Sequence, residues 1–465
     1  MDLRRPRFTT LLAASALGVY LLVVAGATAS IADAVHSCST WPTCQGSLLG
    51  DTGLAVAWTH RLLAAVVGAL VISAAVAGVR ANANRRVLGA LAVALVLYPA
   101  QIALGAFVAT SEASGQLPGA HLGTGMAIFS ALVGALAWQL EAETGSADET
   151  PVGETVEVPE ITDRGGGAPA TGTLSTGERL TATAYAYFRL MKPRLMWLLC
   201  LVAAAGMALA AGPALTTRTV VLTLVGGVLA IGASGTFNHV LERDIDKRMD
   251  RTSDRPIATH QLPVRNALAF GLTLAVGSLA LFWQVNVLAA ALGLAAILFY
   301  SVVYTLVLKP NTVQNTVIGG FAGSLPALIG WVAVTGRFDL PGLALAGVIF
   351  LWTPAHFYNL ALAYKEDYAK GGFPMLPVVR GETETRKHIV YYLGATLIAA
   401  GAMVSITSLG PLYAATTALL GAVFLWAVVR LHREQTEQAA FRAFHASNAY
   451  LGLLLLAIVV DALAV

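Results

Sequence analysis

Residues 219–256 read TVVLTLVGGVLAIGASGTFNHVLERDIDKRMDRTSDRP. The stretch 219–241 is apolar and longer than the roughly 20 residues that a helix needs to cross a bilayer. The stretch 242–256 is densely charged and ends at a proline. An apolar helix that leads directly into a charged segment predicts a membrane protein whose polar residues gather at the rim of the membrane.

The composition of the whole chain agrees with a membrane location. Of its 465 residues, 57% are hydrophobic and only 12% are charged, whereas an average soluble domain has about 25% charged residues. These values exclude a soluble globular enzyme and a disordered chain. Three cysteines in 465 residues also exclude a disulfide scaffold.

Long apolar runs predict thirteen spanning helices in two groups. Four runs precede residue 141, at 8–32, 54–80, 87–109 and 119–140. Nine follow residue 182, at 194–212, 219–241, 264–283, 286–307, 314–335, 341–363, 388–407, 411–430 and 443–463. The predicted fold class is all-α and integral to the membrane, with a four-helix transmembrane bundle followed by a nine-helix intramembrane fold.

The segment between the two groups differs from both in composition. Residues 141–182 contain nine acidic and two basic residues, and three consecutive glycines at 165–167. The segment has no apolar period, which is typical of a flexible linker. We therefore predict an amino-terminal domain at 1–140, an acidic linker at 141–182 and a second domain at 183–465.

The positions of the basic residues predict the orientation, because cytoplasmic loops carry an excess of lysine and arginine. With the amino terminus inside, 26 of the 29 basic residues fall on the inner side, and only Arg61, Arg218 and Arg337 fall on the outer side. The sequence thus predicts a multi-pass protein of the cell membrane, with the amino terminus and the charged segment after residue 241 in the cytoplasm.

Polar side chains recur every four residues where the sixth run ends. They are Asn238, Glu242, Asp246 and Asp250. On a helix this spacing stacks them along one face, where like charges destabilise the helix unless a cation is present. Oxygen ligands of this kind suit Mg²⁺, which commonly joins carboxylates to substrate phosphates. Arg251 and Arg255 follow and could bind the same phosphates.

The alternative is a solvated loop in which neighbouring charges, such as Glu242 and Lys247, neutralise one another. A second acidic turn favours the metal site. Residues 364–368 read YKEDY and follow the tenth apolar run on the same predicted side of the membrane. Two carboxylate clusters on one membrane face predict a metal ion bridged to a diphosphate.

Four ordered motifs in the second domain resemble those of the UbiA superfamily of intramembrane prenyltransferases and, within it, the protohaem IX farnesyltransferase (haem O synthase) branch. The motifs are YFRLMKPR at 187–194, N-x3-E-x3-D at 238–246 with M-x-R-T-x2-R-P at 249–256, WTP-x-HF at 352–357, and KEDY at 365–368 with PMLP at 374–377. The resemblance implies an intramembrane prenyltransferase fold for the nine helices. It also implies transfer of a farnesyl group from farnesyl diphosphate to a vinyl group of haem B, with addition of water, giving haem O and diphosphate.

The resemblance assigns roles to individual residues. The implied catalytic residues are Asn238, Glu242, Asp246 and Asp367. Together with Asp250 they are the implied Mg²⁺ ligands. The implied diphosphate-binding residues are Lys192, Arg251, Arg255 and Lys365. His356 is the implied haem-binding residue of this domain; a buried histidine that is satisfied by a neighbouring carbonyl is the alternative.

The first domain contains two cysteines and two histidines on the predicted outer side. Cys38 and Cys44 lie in one loop and can oxidise to a disulfide there. His60 and His121 begin the second and fourth spans, so they could ligate one haem iron from two helices of a bundle. The alternative is a pair of interfacial histidines wetted by water.

This domain resembles one half of a haem A synthase, through the loop from Cys38 to Cys44, the pair His60-Arg61 and the segment QIALG at 101–105. The resemblance implies a bound haem. Ala57 stands where that family has a glutamate, so the half-module alone is expected not to oxidise haem; self-association or a haem A synthase partner would supply the second half. No nucleic-acid partner is expected.

Three other functions compete with haem farnesylation. A prenyltransferase of this kind could act on a quinone, a chlorophyll or another lipid acceptor, but the histidine motif favours haem. A transporter should have charged or broken segments at the membrane midplane, whereas the charges here lie at the rim. A di-histidine membrane cytochrome would use His60 and His121 and leave the acidic face without a role.

Overall fold

The structure is a computed structural model that describes residues 5–31, 40–43, 51–110, 116–145 and 175–464. Throughout these ranges the regular secondary structure is helical, which confirms the predicted all-α fold class. The long helices of the first part are α1 (Arg5–Ile31), α2 (Thr52–Arg80), α3 (Arg85–Thr110) and α4 (Leu117–Thr144).

The second part begins with α5 (Thr176–Leu190) and alternates long helices with short ones. The long helices are α6 (Pro193–Ala211), α7 (Thr217–Leu241), α9 (Val264–Val285), α10 (Val287–Leu298), α12 (Asn315–Thr335), α13 (Leu340–Ala363), α16 (Glu382–Ile406), α17 (Pro411–Glu434) and α18 (Glu437–Ala464). The short ones are α8 (Arg243–Asp246), α11 (Lys309–Asn311), α14 (Lys365–Lys370) and α15 (Leu376–Val379). A π-helical segment (Phe299–Leu308) joins α10 to α11.

Among the described residues, thirteen helical segments are long and apolar enough to cross a membrane. Four of them end by Thr144 and nine begin after residue 192. Their positions agree with the apolar runs, because hydrophobicity and length alone determine whether a helix can span a bilayer. The assignment of the two groups to a four-helix bundle and a separate nine-helix domain stays a prediction.

The predicted linker differs from the structure at both ends. The helix α4 continues to Thr144, and α5 already begins at Thr176. Ser175 and Glu178 form a capping box at the start of α5, in which each side chain binds the backbone N–H of the other residue. Such a box satisfies two free N–H groups at a helix start, so it sets the boundary that composition alone did not give.

The packing divides the chain into two compact units. The first comprises residues 1–147 and 386–450, and the second comprises residues 148–385 and 451–465. The amino-terminal helices thus pack in one unit with most of α16, with α17 and with the first half of α18. The predicted domains at 1–140 and 183–465 stay a prediction from sequence, since compact packing and sequence motifs divide a chain by different criteria.

Buried tyrosines connect the amino-terminal helices to α17 and α18 within the first unit. The Tyr20 hydroxyl lies 2.8 Å from the Thr417 hydroxyl, which in turn lies 3.1 Å from the Tyr450 hydroxyl. At another point the Lys387 ammonium donates to Glu141 at 2.7 Å. These contacts combine apolar burial with satisfied polar groups, which stabilises the packing of the helices.

The second unit contains the charged segments that the sequence singled out. Its apolar core includes Ala230, Ile297 and Val332, and the ring of Phe282, which is fully buried. A second cluster of buried side chains, including Met249, Tyr368 and Phe373, lies next to the charged turns. The packed apolar side chains of these two clusters therefore hold the charged turns in place.

Because the amino-terminal helices pack directly on α16 and α17, we expect them to stay bound after the covalent connection is cut. A protease site inserted at residue 160 would allow cleavage of the purified chain in detergent. Both fragments should then elute together in size-exclusion chromatography.

A glycine substitution tests whether the packing holds the fragments. An added Cβ at Gly394 would lie 2.7 Å from Val133, so Gly394→Leu should force the helices apart and release the amino-terminal fragment. Gly347 has no neighbour within 4 Å of such a Cβ, and Gly347→Leu is the matched control. Separation of the parent fragments after cleavage would contradict the expectation.

Candidate active site

The acidic segment after α7 does not continue as one helix. The helix α7 ends at Leu241, and Glu242 has φ −94° and ψ 5° before the short helix α8 begins. The amide of Asp246 still donates to the Glu242 carbonyl at 2.8 Å, so these two carboxylates remain one helical turn apart. The chain then turns, and the carboxylate of Asp250 is 74% exposed. The predicted continuous face therefore ends at Asp246.

The two carboxylates on this turn are buried and each has a basic partner. Glu242 is 3% exposed, and its Oε1 accepts from the Lys309 ammonium at 2.6 Å. Asp246 is 2% exposed and accepts from Arg255 Nη1 with both oxygens, at 2.7 and 2.9 Å. The same Nη1 lies 3.8 Å from Glu242. One guanidinium nitrogen therefore lies between both carboxylates.

These neighbours change the acidity of Glu242. Burial alone would raise the pKa of its carboxyl, but Lys309 and Lys192 outweigh burial and hold the pKa below its usual range. Glu242 is consequently ionised in the structure. An ionised, buried carboxylate can bind a cation without first losing a proton.

Lys192 binds Asn238, the first residue of the predicted acidic face. Its ammonium donates to Asn238 Oδ1 and, at 3.2 Å, to the Tyr300 hydroxyl. Burial, together with the nearby Arg255, lowers the pKa of Lys192 to about 7. An added Cβ at Gly235 would lie 2.8 Å from the Leu190 carbonyl, so the glycine allows the chain before Lys192 to approach α7.

The backbone of Lys192 is left-handed, with φ 55° and ψ 57°, and Pro193 follows it. A lysine in this region is strained by about 1–3 kcal/mol, and such residues cluster at functional sites where the surroundings hold them. This backbone conformation directs the Lys192 ammonium toward Asn238 and away from solvent.

The π-helical segment brings three further groups to the same cluster. Tyr300 accepts from Lys192, Thr305 accepts from Asn238 Nδ2 at 3.1 Å, and Lys309 follows the end of the segment. A π-helix has a wider hydrogen-bonding register than an α-helix and is frequent at functional sites. Its register turns Tyr300, Thr305 and Lys309 toward α7 and α8.

The structure brings the second acidic segment to the first. Asp367 is 7% exposed, and its Oδ1 accepts from the Asp250 backbone N–H at 2.6 Å. Arg251 lies 4.0 Å from its other oxygen and donates to the Tyr368 hydroxyl at 3.2 Å. Lys365 is directed differently, because its ammonium donates to Glu382 at 3.1 Å.

We tested whether these residues suit the predicted Mg²⁺. Among the described residues, no group of three or more histidine, cysteine, aspartate or glutamate side chains is arranged to hold a metal ion. However, Asp367 Oδ2 is buried and accepts no hydrogen bond from the part of the chain that the structure describes, and Glu242 and Asp246 share one cationic neighbour. Mg²⁺ usually takes one or two carboxylates and completes its shell with phosphates and water. The donor set fits Mg²⁺ that arrives with a diphosphate.

An apolar pocket opens next to this cluster. Lys192 and Tyr300 line one end of it, and the rest is formed mostly by apolar side chains of α6, α7, α9, α10 and α12, with Thr223 and Ser234 among them. A cationic mouth that leads to an apolar interior suits a molecule with an anionic head and a hydrocarbon tail.

The intramembrane histidine of the second unit, His356, lies on α13. Its ring stacks on Trp352 one turn earlier, with centroids 4.2 Å apart and planes 13° apart. Trp352 is 5% exposed, whereas the histidine is only partly buried. The stack holds the imidazole in one orientation.

In the first unit, the two predicted haem ligands are each packed against a glycine. An added Cβ would lie 3.1 Å from the ring of His60 at Gly26, and 3.0 Å from the ring of His121 at Gly105. The amide of Gln101 lies 3.3 Å from His121 Nε2. Gln101 and Gly105 belong to the QIALG motif, and both contact the same histidine.

Each of the two histidines also has a buried Nδ1 without a hydrogen-bond partner among the described residues. Arg61, next to His60, donates to the carbonyls of Thr40 and Pro42 at 3.2 and 2.9 Å, which fixes the described part of the loop between α1 and α2. The predicted disulfide partners Cys38 and Cys44 lie outside the described residues.

Sequence reasoning missed Lys309, Tyr300 and Thr305. Lys309 closes an apolar run and had no acidic neighbour in sequence, so its pairing with Glu242 could not be read from local spacing. A lysine at the end of a spanning helix, on the same predicted membrane side as the acidic cluster, is the signal that could have indicated it.

We expect Lys309→Met to destabilise the protein by about 3 kcal/mol, because it leaves the buried Glu242 carboxylate without its main partner. Thermal unfolding in detergent would measure the effect. Lys247→Met is the control, since Lys247 lies 3.7 Å from the exposed Asp244. The double variant Glu242→Gln/Lys309→Met should recover part of the loss, and a single variant as stable as the parent would contradict this assignment.

Comparisons with known proteins show the family of the chain. Protoheme IX farnesyltransferase of Haloarcula marismortui is 71% identical over 98% of both chains, and protoheme IX farnesyltransferase 1 of Natronomonas pharaonis is 65% identical over the full length of both. A solved digeranylgeranylglyceryl phosphate synthase has a similar fold, with a TM-score of 0.51 and 17% identity over 61% of this chain and 100% of that chain. The model of the UbiA prenyltransferase family matches residues 198–454. The chain belongs to the UbiA prenyltransferase family.

Proposed function

We propose that the chain transfers a farnesyl group from farnesyl diphosphate to a vinyl group of protohaem IX, with addition of water, and releases haem O and diphosphate. The observation that carries the proposal is the buried cluster of carboxylates and cations at the mouth of an apolar pocket. The relatives that are similar over the full chain are named for this reaction.

The cations of the cluster would hold the diphosphate head group. Lys192 and Arg255 reach the pocket mouth and the acidic turn, and Arg251 lies beside the second acidic segment. Their positive charge stabilises the negative charge that develops on the leaving oxygens. Lys365 pairs with Glu382, so we give it a smaller part in diphosphate binding.

The carboxylates would hold Mg²⁺ together with the diphosphate. We assign this role to Glu242, Asp246 and Asp367, with the Asn238 amide oxygen as a further ligand. Asp250 contributes its backbone N–H to Asp367, which orients that carboxylate. When bound, Mg²⁺ supplies Lewis-acid stabilisation of the leaving diphosphate.

The transfer breaks the allylic carbon–oxygen bond, the vinyl π bond and one O–H bond of water, and it forms a carbon–carbon bond and a carbon–oxygen bond. The allylic carbon–oxygen bond breaks, and its electron pair leaves with the diphosphate. The vinyl π electrons of the porphyrin form the new carbon–carbon bond, and water adds to the carbon that is left electron-deficient. The proton that this water loses goes to solvent, so the product carries a hydroxyl group and a farnesyl chain.

The acceptor is less directly determined than the donor. We assign His356 to the porphyrin side, because its stacking on Trp352 fixes the imidazole on a helix that leads to the acidic segment. A quinone or another lipid acceptor remains the competing proposal. The full-length similarity to haem farnesyltransferases favours haem B.

We expect Asp246→Asn to lower the yield of haem O by about a hundredfold or more, since it removes charge from the site that stabilises the leaving group. Pigment extraction from cells that express each variant, followed by chromatography, would measure haem O. Asp244→Asn is the matched control, because the Asp244 side chain is 61% exposed. Glu242→Asp should be milder, as it keeps the carboxylate. Haem O formation by Asp246→Asn at the parent level would refute the metal and diphosphate site.

For the amino-terminal module, we propose that His60 and His121 bind a haem without oxidising it. Both have a buried Nδ1 without a hydrogen-bond partner among the described residues, and each ring packs against a glycine that places no side chain beside it. A second module, from another copy of the chain or from a haem A synthase, would be needed for oxidation. We also propose that the amino terminus and the acidic turns face the cytoplasm.

We expect the purified full-length protein to absorb light through haem that is bound to the amino-terminal module. His60→Ala should remove this part of the absorbance. The absorbance spectrum of the oxidised and reduced protein measures it. His445→Ala is the control, because His445 is exposed. Retention of the parent spectrum by His60→Ala would contradict the assignment, and haem A made by this chain alone would refute the absence of oxidation.

A further inference from the structure

The apolar pocket of the second unit has two distinct ends. Lys192 and Tyr300 line the mouth beside the acidic cluster, and Thr223 and Phe282 line the opposite end. Along α7 the lining residues run from Gly235 to Thr223, which corresponds to roughly 18 Å at the helical rise of about 1.5 Å per residue. The pocket therefore follows the helix from the charged cluster toward its far end.

This length is comparable with that of a farnesyl chain. The main chain of farnesyl has twelve carbons, and with bonds of about 1.5 Å it spans roughly 14 Å when extended. The pocket is narrow, with a cavity volume of about 90 Å³. A bound prenyl group must therefore displace some of the side chains that line the pocket. A lining side chain that cannot move limits how far the prenyl group extends into the pocket.

The ring of Phe282, which lines the pocket, is closely confined by its neighbours. It is fully buried and lies between glycines of two helices. An added Cβ would be 3.0 Å from the ring at Gly226 on α7 and 2.5 Å from it at Gly293 on α10. The ring has no space to retreat in either direction, so it forms a fixed wall one turn from Thr223.

We propose that Phe282 is the residue that limits the length of the prenyl donor, so that the pocket accepts a farnesyl chain and rejects a geranylgeranyl chain. The inference rests on the proposed function, because it takes the pocket mouth as the diphosphate site. Gly226 and Gly293 act as positioning residues that seat the ring. The hydrocarbon tail is recognised by its length alone, since the pocket interior is apolar.

The first experiment measures donor binding without any haem. Radiolabelled farnesyl diphosphate is bound to the purified full-length protein with Mg²⁺ and displaced by unlabelled geranylgeranyl diphosphate. In the parent, geranylgeranyl diphosphate should compete poorly. In Phe282→Ala it should compete about tenfold better relative to farnesyl diphosphate, because the wall that excludes the extra isoprene unit is gone.

Two further variants keep the result interpretable. Phe282→Leu leaves a smaller cavity and should give an intermediate shift even if Phe282→Ala is poorly folded. Trp283→Ala removes a large aromatic side chain from the next position of α9, where it is 65% exposed and does not line the pocket. It should keep the parent preference.

The second experiment measures transfer to haem B with the same two donors. A shift in product from farnesyl to geranylgeranyl in the Phe282 variants would support the inference. If the binding preference shifts but no variant and no parent prenylates haem, the acceptor in the proposed function is wrong and the role of Phe282 stands. If Phe282→Leu is folded and binds farnesyl diphosphate with the parent preference, the role of Phe282 is refuted.

Discussion

The arrangement of the site depends on two carboxyl groups that are buried beside an apolar core and paired with cations. Removing a carboxylate from water costs several kcal/mol even after the surroundings relax. Glu242 and Asp246 are 3% and 2% exposed, so each requires a cation within hydrogen-bonding distance. Lys309 and Arg255 meet this requirement. Their positions in turn require the π-helical segment and the turn that follows α8.

In the proposed reaction, substrate binding replaces ion pairs within the protein by ion pairs with the diphosphate and the metal ion. The diphosphate brings negative charge toward Lys192 and Arg255, and the metal ion brings positive charge toward Glu242 and Asp246. Neither set of groups has to leave water at that moment, because both are already buried. A site of this kind is preorganised, since the protein has met the cost of desolvation during folding.

Much of the fold could be predicted from the sequence, because bilayer thickness sets the length of a spanning helix. The acidic turn was also predictable, since Glu242 and Asp246 are four residues apart. The prediction went wrong where helical periodicity was extended beyond Asp246, because the chain turns there and exposes Asp250. Lys309 was not predictable from spacing, because a π-helical register has no simple sequence signature and its partner is 67 positions away.

The family model and the packing of the structure group the carboxyl-terminal helices differently. By sequence, the family model includes them, since it matches residues 198–454. By packing, residues 386–450 form one compact unit with the amino-terminal helices, and the buried hydroxyls of Tyr20, Thr417 and Tyr450 make part of that contact. Helices that the family model includes therefore supply the surface on which the amino-terminal helices pack. The amino-terminal module is consequently an integral part of the folded protein, because its buried surface is completed by helices from the other end of the chain.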